Sequence, residues 1–127
     1  MLPPEYLRGA AAGPSTSLDR RRVHLLVLEG GHALLSRARH ALERGDVTGF
    51  ACDLQRTQEA LVELVRTLDR GESAVIAERL GALHDSLLGQ LALVSAERSL
   101  ARVDAALRAF GPIVEAYREI VRHAGGR

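Results

Sequence analysis

Residues 100–121 read LARVDAALRAFGPIVEAYREIV and carry the clearest structural signal in the chain. Their apolar residues recur at alternating steps of three and four, the heptad spacing that places one stripe along a helix packed against other helices. The stripe consists of Leu100, Val103, Leu107, Phe110, Val114, Tyr117 and Val121. Pro112 cannot donate a hydrogen bond to the carbonyl of Arg108, so it predicts a kink, with a break into two short helices as the alternative.

Three earlier segments show the same helical periodicity, with short turns between them. The first begins at Asp19, a candidate N-cap, and has two neighbouring apolar stripes, which predict a helix buried over a wide face. Gly45 suits a left-handed helix end, and Asp46 can cap the helix that follows. Further turns are predicted at residues 69–73 and at Ser99, a third candidate cap.

Four helices joined by short turns must alternate in direction, because a short turn cannot return the chain to the end it came from. The sequence therefore predicts an all-α, antiparallel up-down-up-down four-helix bundle over residues 19–123. Residues 1–18 contain three prolines and two glycines. They are interpreted as a flexible N-terminal cap segment in which Tyr6 and Leu7 could dock on the bundle as a lid, or as a frayed terminus. Residues 124–127 are predicted to be a disordered tail.

Composition excludes several functional classes. Aromatic residues are only 3% of the 127 residues, so the core must be aliphatic. The formal net charge of +1 comes from interspersed signs, which argues against nucleic-acid binding. Cys52 is the one cysteine, which rules out an internal disulfide, and it is interpreted as a small core residue. No apolar run reaches the roughly 20 residues that span a bilayer, so we expect a cytoplasmic protein with no membrane insertion.

No set of residues supports catalysis or a cofactor. One Glu-x-x-His motif occurs, Glu29 to His32, whereas a di-iron carboxylate bundle needs two. His24, His32 and His40 lie eight residues apart, about 12 Å along a helix, which is too far for shared metal ligation. We therefore expect no enzyme activity, no metal and no cofactor, and keep a metal-dependent bundle enzyme as the third alternative.

Apolar residues exceed what one stripe per helix needs. The surplus either widens the core or lines a groove that accepts an amphipathic helix or an extended peptide from a partner. Together with the two apolar residues of the N-terminal segment, the candidate protein-binding residues are Tyr6, Leu7, Leu28, His84, Leu88, Ala92, Ile113 and Ile120.

Residues 19–30, DRRRVHLLVLEG, resemble the start of the first helix in the FliS family of flagellin-specific export chaperones. Tyr117 lies where that family often carries Trp. The similarity continues through the first turn at 38–46, the second helix at 54–69, the third at 80–91 and the fourth at 107–120. It covers about residues 17–122.

This resemblance implies a function. FliS-type chaperones bind the disordered C-terminal segment of flagellin in apolar grooves, which prevents premature polymerisation and keeps the subunit competent for flagellar type III export. It also implies that the N-terminal segment covers part of that surface when flagellin is absent, and that the export machinery or a co-chaperone is a further partner. The alternative is a four-helix bundle that serves as a structural, oligomerisation or other protein-binding module without a flagellin client.

Overall fold

A computed structural model describes residues 17–67 and 74–125. These residues form four helices and no strand, which confirms the predicted all-α four-helix bundle. The helices are α1 Ser17–Glu43, α2 Val47–Arg66, α3 Ala74–Glu97 and α4 Leu100–Gly125. The proposed lid with Tyr6 and Leu7, the predicted turn at 69–73 and the last two residues of the predicted tail lie outside the described residues.

Local capping chemistry sets the two turns at one end of the bundle. Gly45 has φ +77°, the left-handed conformation that glycine adopts without a steric penalty. The Asp46 carboxylate accepts a hydrogen bond from the backbone N–H of Gly49 at 2.9 Å. At the other turn, the Ser99 hydroxyl oxygen accepts one from the N–H of Arg102 at 3.2 Å. These three predicted turn residues are confirmed.

Helix boundaries differ from expectation in three places. Helix α1 begins at Ser17, so Asp19 is not the N-cap but an acidic residue of the first turn, where its charge favours the helix dipole. Helix α4 extends to Gly125, two residues into the predicted tail. It also continues through Pro112 without a break, so the two-helix alternative is wrong.

The four helices pack in a ring. Helix α1 contacts α2 and α4, and α4 also contacts α3, whereas the seam between α2 and α3 has the fewest contacts. The core is mainly aliphatic, with the rings of Phe50, Phe110 and Tyr117 fully buried. The expectation of an aliphatic core is therefore correct for most core residues but wrong in leaving out the rings, because Tyr117, Phe50 and Phe110 are the largest fully buried side chains.

Cys52 is exposed, contrary to its interpretation as a core residue. It precedes Asp53 and Leu54, which are buried. On a helix, consecutive residues point about 100° apart, so Cys52 turns to solvent when the next two face inward.

Candidate protein-binding site

The two ends of the bundle differ in construction. We call the turn end the one that contains the turns at residues 44–46 and 98–99. The open end contains the starts of α1 and α3 and the ends of α2 and α4.

Ion pairs join helices at the turn end. The Arg39 guanidinium of α1 donates to the Asp104 carboxylate of α4 at 2.5 Å and also contacts Glu43 at 2.8 Å. The hydrogen bond to Arg39 holds the pKa of Asp104 below its usual range and raises the pKa of Arg39. Across the second turn, Arg102 donates to Glu97 at 2.5 Å. Charges at this end are therefore largely matched to one another.

At the open end, three helices form a groove of about 350 Å³, which we call the basic-rimmed groove. That volume lies within the range of roughly 300–1,000 Å³ typical of ligand clefts. Its floor is aliphatic and is formed by Ile76, Leu80, Ala116 and Ile120. Its rim is charged and is formed by Arg21, Arg79, Glu119 and His123. The groove thus combines apolar surface with guanidinium groups from α1 and α3.

A second groove lies on the other side of the first turns of α1, and we call it the α1–α2 groove. It has a volume of about 320 Å³ and is lined mainly by apolar atoms. Its lining residues are Val23, His24, Val27, Ala60, Glu63, Leu64 and Thr67. Val23 is 52% exposed and its neighbour Leu26 is 67% exposed, so α1 presents aliphatic side chains to solvent here.

Beside these grooves, a polar cluster combines the buried rings of His24, His84 and Tyr117 with the exposed Thr67 at the end of α2. The Thr67 hydroxyl donates to the carbonyl of Leu64 at 2.8 Å, so it accepts from Nε2–H of His24 at 2.8 Å, which fixes that tautomer. The Tyr117 ring packs edge-on against His24 and His84, with centroids 5.9 and 6.1 Å apart. The Tyr117 hydroxyl lies 3.4 Å from Nε2 of His84.

His84 is neutral at physiological pH. Burial, and secondarily the nearby His24, lowers the pKa of His84 to about 4. Its Nδ1 is buried and has no hydrogen-bond partner among the described residues, which is consistent with an uncharged ring. The cluster therefore packs the helices together at the open end around a neutral histidine, and protonation of that histidine at low pH destabilises the fold.

This architecture agrees with the family to which the sequence can be assigned. The family model for the flagellar protein FliS matches residues 10–124, which is nearly the whole chain. The chain belongs to the FliS family. FliS proteins are flagellar chaperones, which gives this chain a flagellar chaperone role in general terms. No curated protein matches the chain, so the assignment rests on the family model.

Within this FliS fold, three candidate binding residues lie in the core. Leu28, His84 and Ile113 are fully buried. Of the two interpretations of the surplus apolar residues, these three therefore fit the first, in which they widen the core and do not line a groove. The reason is that each lies on the helix face turned toward the bundle axis, beside the main stripe.

The remaining candidates are more accessible. Ile120 lines the basic-rimmed groove, Leu88 is half-buried and Ala92 is exposed on α3. Their role in binding stays a prediction. Tyr6 and Leu7 lie outside the described residues.

Several residues that give the open end its character were not predicted from the sequence. Arg21, Arg79 and Ile76 line the basic-rimmed groove but were not candidates. One usable signal was present, since the run of arginines at residues 20–22 adjoins the apolar start of α1. Arg79 has no comparable local signal.

Within residues 17–67 and 74–125, no three His, Cys, Asp or Glu side chains converge as metal ligands would. None of the helices in this part of the chain has both the length and the apolarity needed to cross a bilayer.

Proposed function

We propose that the open end of this FliS-family bundle binds the disordered C-terminal segment of flagellin. Binding prevents polymerisation in the cytoplasm and delivers the subunit to the flagellar type III export machinery, with a co-chaperone as a further partner. The observation that supports this most is the pair of apolar grooves on either side of the first turns of α1.

The physical basis is coupled folding and binding. Burying the aliphatic side chains of a disordered segment against Ile120, Leu80 and Val23 makes the free energy of binding more favourable. The loss of conformational entropy as the segment becomes ordered opposes it. Because the two terms oppose each other, a large contact surface is compatible with moderate affinity. Moderate affinity suits a chaperone that must release its client for export.

The N-terminal segment is proposed to compete for the same surface. Helix α1 begins with Ser17 at the open end, which is therefore where the N-terminal segment is covalently attached. Tyr6 and Leu7 supply the apolar side chains of this proposed lid. Deleting residues 1–16 should strengthen binding of a flagellin C-terminal peptide in calorimetry, and weaker or unchanged affinity would contradict the lid.

Two matched substitutions on α4 test the site itself. Ile120→Gln places a polar group in the groove floor and should weaken binding of the flagellin peptide about tenfold, equivalent to about 1.4 kcal/mol. Leu100→Gln is the control, because Leu100 lies at the turn end of the same helix and is 37% exposed. It should leave the affinity unchanged.

The possible outcomes can be distinguished once circular dichroism has verified that both variants are folded. No binding by the natural chain would refute the flagellin assignment. Unchanged affinity in Ile120→Gln would place binding elsewhere on the bundle, and equal losses in the two variants would contradict a site confined to the open end. Sedimentation of the natural chain without peptide addresses the oligomerisation alternative.

A further inference from the structure

The basic-rimmed groove has a charge as well as an apolar floor. We propose that it recognises a peptide segment in which an acidic side chain adjoins aliphatic side chains, with Arg79 binding the carboxylate. This inference rests on the proposed function, because it concerns the chemistry of the client segment at the same open end.

Among the arginines that have no side-chain partner within the described residues, Arg79 is the one that lines the basic-rimmed groove. No hydrogen bond or ion pair of its side chain occurs within residues 17–67 and 74–125. Six other arginines in this part of the chain form ion pairs with carboxylates: Arg37, Arg39, Arg44, Arg66, Arg102 and Arg118. A guanidinium beside an apolar floor can hold a carboxylate through two parallel hydrogen bonds.

The other charges around the groove favour the same ligand. Arg21 extends the positive rim from α1, and the one acidic residue, Glu119, lies 3.7 Å from His123 on its own helix. The lining thus contains two arginines and one glutamate, so cationic side chains outnumber acidic ones.

Two comparable grooves lack this excess. The groove between α1 and α4 has two arginines and two glutamates, and Arg118 contacts Glu29 at 3.1 Å and Glu115 at 3.6 Å. In the α1–α2 groove the formal charge is that of Glu63, which contacts Arg66 at 3.3 Å. Of these three grooves, the basic-rimmed groove alone therefore favours an anionic group.

The apolar floor points to a peptide as the source of that anion. Nucleic-acid binding relies on several cations that track a phosphate backbone, whereas this site offers four aliphatic side chains under a short basic rim. A volume of about 350 Å³ suits a few side chains of an ordered segment. An aliphatic residue can fill the floor while a neighbouring Asp or Glu reaches Arg79.

Charge reversal tests the assignment. Arg79→Glu should weaken binding of the flagellin C-terminal peptide at least about tenfold, since it replaces attraction by repulsion at one contact. Arg22→Glu is the matched control, because Arg22 is exposed and lies outside the groove lining. It makes the same change in net charge and should alter affinity no more than about twofold.

A second experiment identifies the acidic residue of the peptide that pairs with Arg79. Peptides in which each Asp or Glu is replaced singly by Lys are titrated against both forms of the protein. One of them should bind Arg79→Glu better than the natural peptide does and bind the natural protein less well. Such reciprocal rescue requires direct pairing and would not arise from a folding defect.

The results distinguish this inference from the function on which it rests. If the natural protein binds the peptide and Arg79→Glu matches Arg22→Glu, the role of Arg79 is wrong and the flagellin assignment stands. The absence of any rescuing peptide would likewise overturn direct pairing. If the natural protein does not bind the peptide at all, both the assignment and the inference fail.

Discussion

The turn end and the open end use opposite means to hold the same four helices. At the turn end, capped turns and ion pairs such as Arg39–Asp104 join neighbouring helices through polar contacts. At the open end, the polar contacts between helices centre on Tyr117, and aliphatic side chains such as Val23 face solvent. If the open end binds the client as proposed, substitutions at the two ends should separate stability from function.

Removing the central ring of the open end should have the largest effect. Tyr117 is fully buried and packs against His24 and His84, so Tyr117→Ala should lower the free energy of unfolding by about 3–5 kcal/mol. Tyr117→Phe keeps the ring and removes the hydroxyl that lies 3.4 Å from Nε2 of His84, so it should cost about 1 kcal/mol. Urea denaturation measures both. Similar losses in the two variants would show that the hydroxyl, and not the ring, organises this end.

Acidification should weaken the open end before the turn end. The folded-state pKa of His84 is about 4, below the ordinary 6.5, so its neutral form contributes stability that is present above pH 6.5 and is lost as pH falls through 4. The full loss is about 3 kcal/mol. His84→Leu should abolish this part of the pH dependence in urea denaturation at about pH 7, 5.5 and 4.5.

Asp104 provides the internal contrast at the turn end. Its pKa is lowered from 3.8 by the hydrogen bond from Arg39, so its contribution is present above 3.8 and is lost only as pH falls further. If His84→Leu lost as much stability between about pH 7 and 4.5 as the natural chain does, the prediction that acid affects the open end first would be wrong.

Loss of a cap at the turn end should have a smaller effect. Asp46→Ala removes the acceptor for the N–H of Gly49 and should cost about 1 kcal/mol in thermal or urea unfolding. Asp46→Asn retains an acceptor oxygen and should stay within about 0.5 kcal/mol of the natural chain. Flagellin-peptide affinity should be the same in both, and a change in affinity would contradict the division between the two ends.

Exposed valines should show the smallest effect on stability. Val23 at the open end is 52% exposed and Val47 at the turn end is 59% exposed, so replacing either by Gln should change stability by no more than about 0.5 kcal/mol. Only Val23→Gln should weaken peptide binding in calorimetry. Equal affinities for the two variants would show that exposure of aliphatic residues at the open end has no part in binding.

Local chemistry explains what the sequence could predict. Gly45, Asp46 and Ser99 act through residues within three positions of themselves, and the heptad stripe of α4 depends only on spacing. These features need no knowledge of the rest of the fold. The number of helices and the turns at residues 44–46 and 98–99 were predictable for this reason.

The proposed binding surface depends on the orientation of each helix about its own axis, because that orientation decides which residues face the core. Ile113 and Ile120 are seven residues apart and look equivalent in sequence, yet Ile113 is fully buried and Ile120 lines a groove. Ion pairs have the same non-local character, since Arg39 and Asp104 are 65 residues apart. Whether Arg79 finds a partner therefore follows from packing and not from its neighbours in the chain.

The sparse seam between α2 and α3 also has a consequence for biosynthesis. The native contacts fall into two hairpins, α1–α2 and α3–α4, which are joined mainly where α1 meets α4. Contacts between the first and last helices have the greatest sequence separation and close the largest loop. A nascent chain can therefore form its first hairpin on the ribosome, but the ring of helices closes only after α4 has emerged.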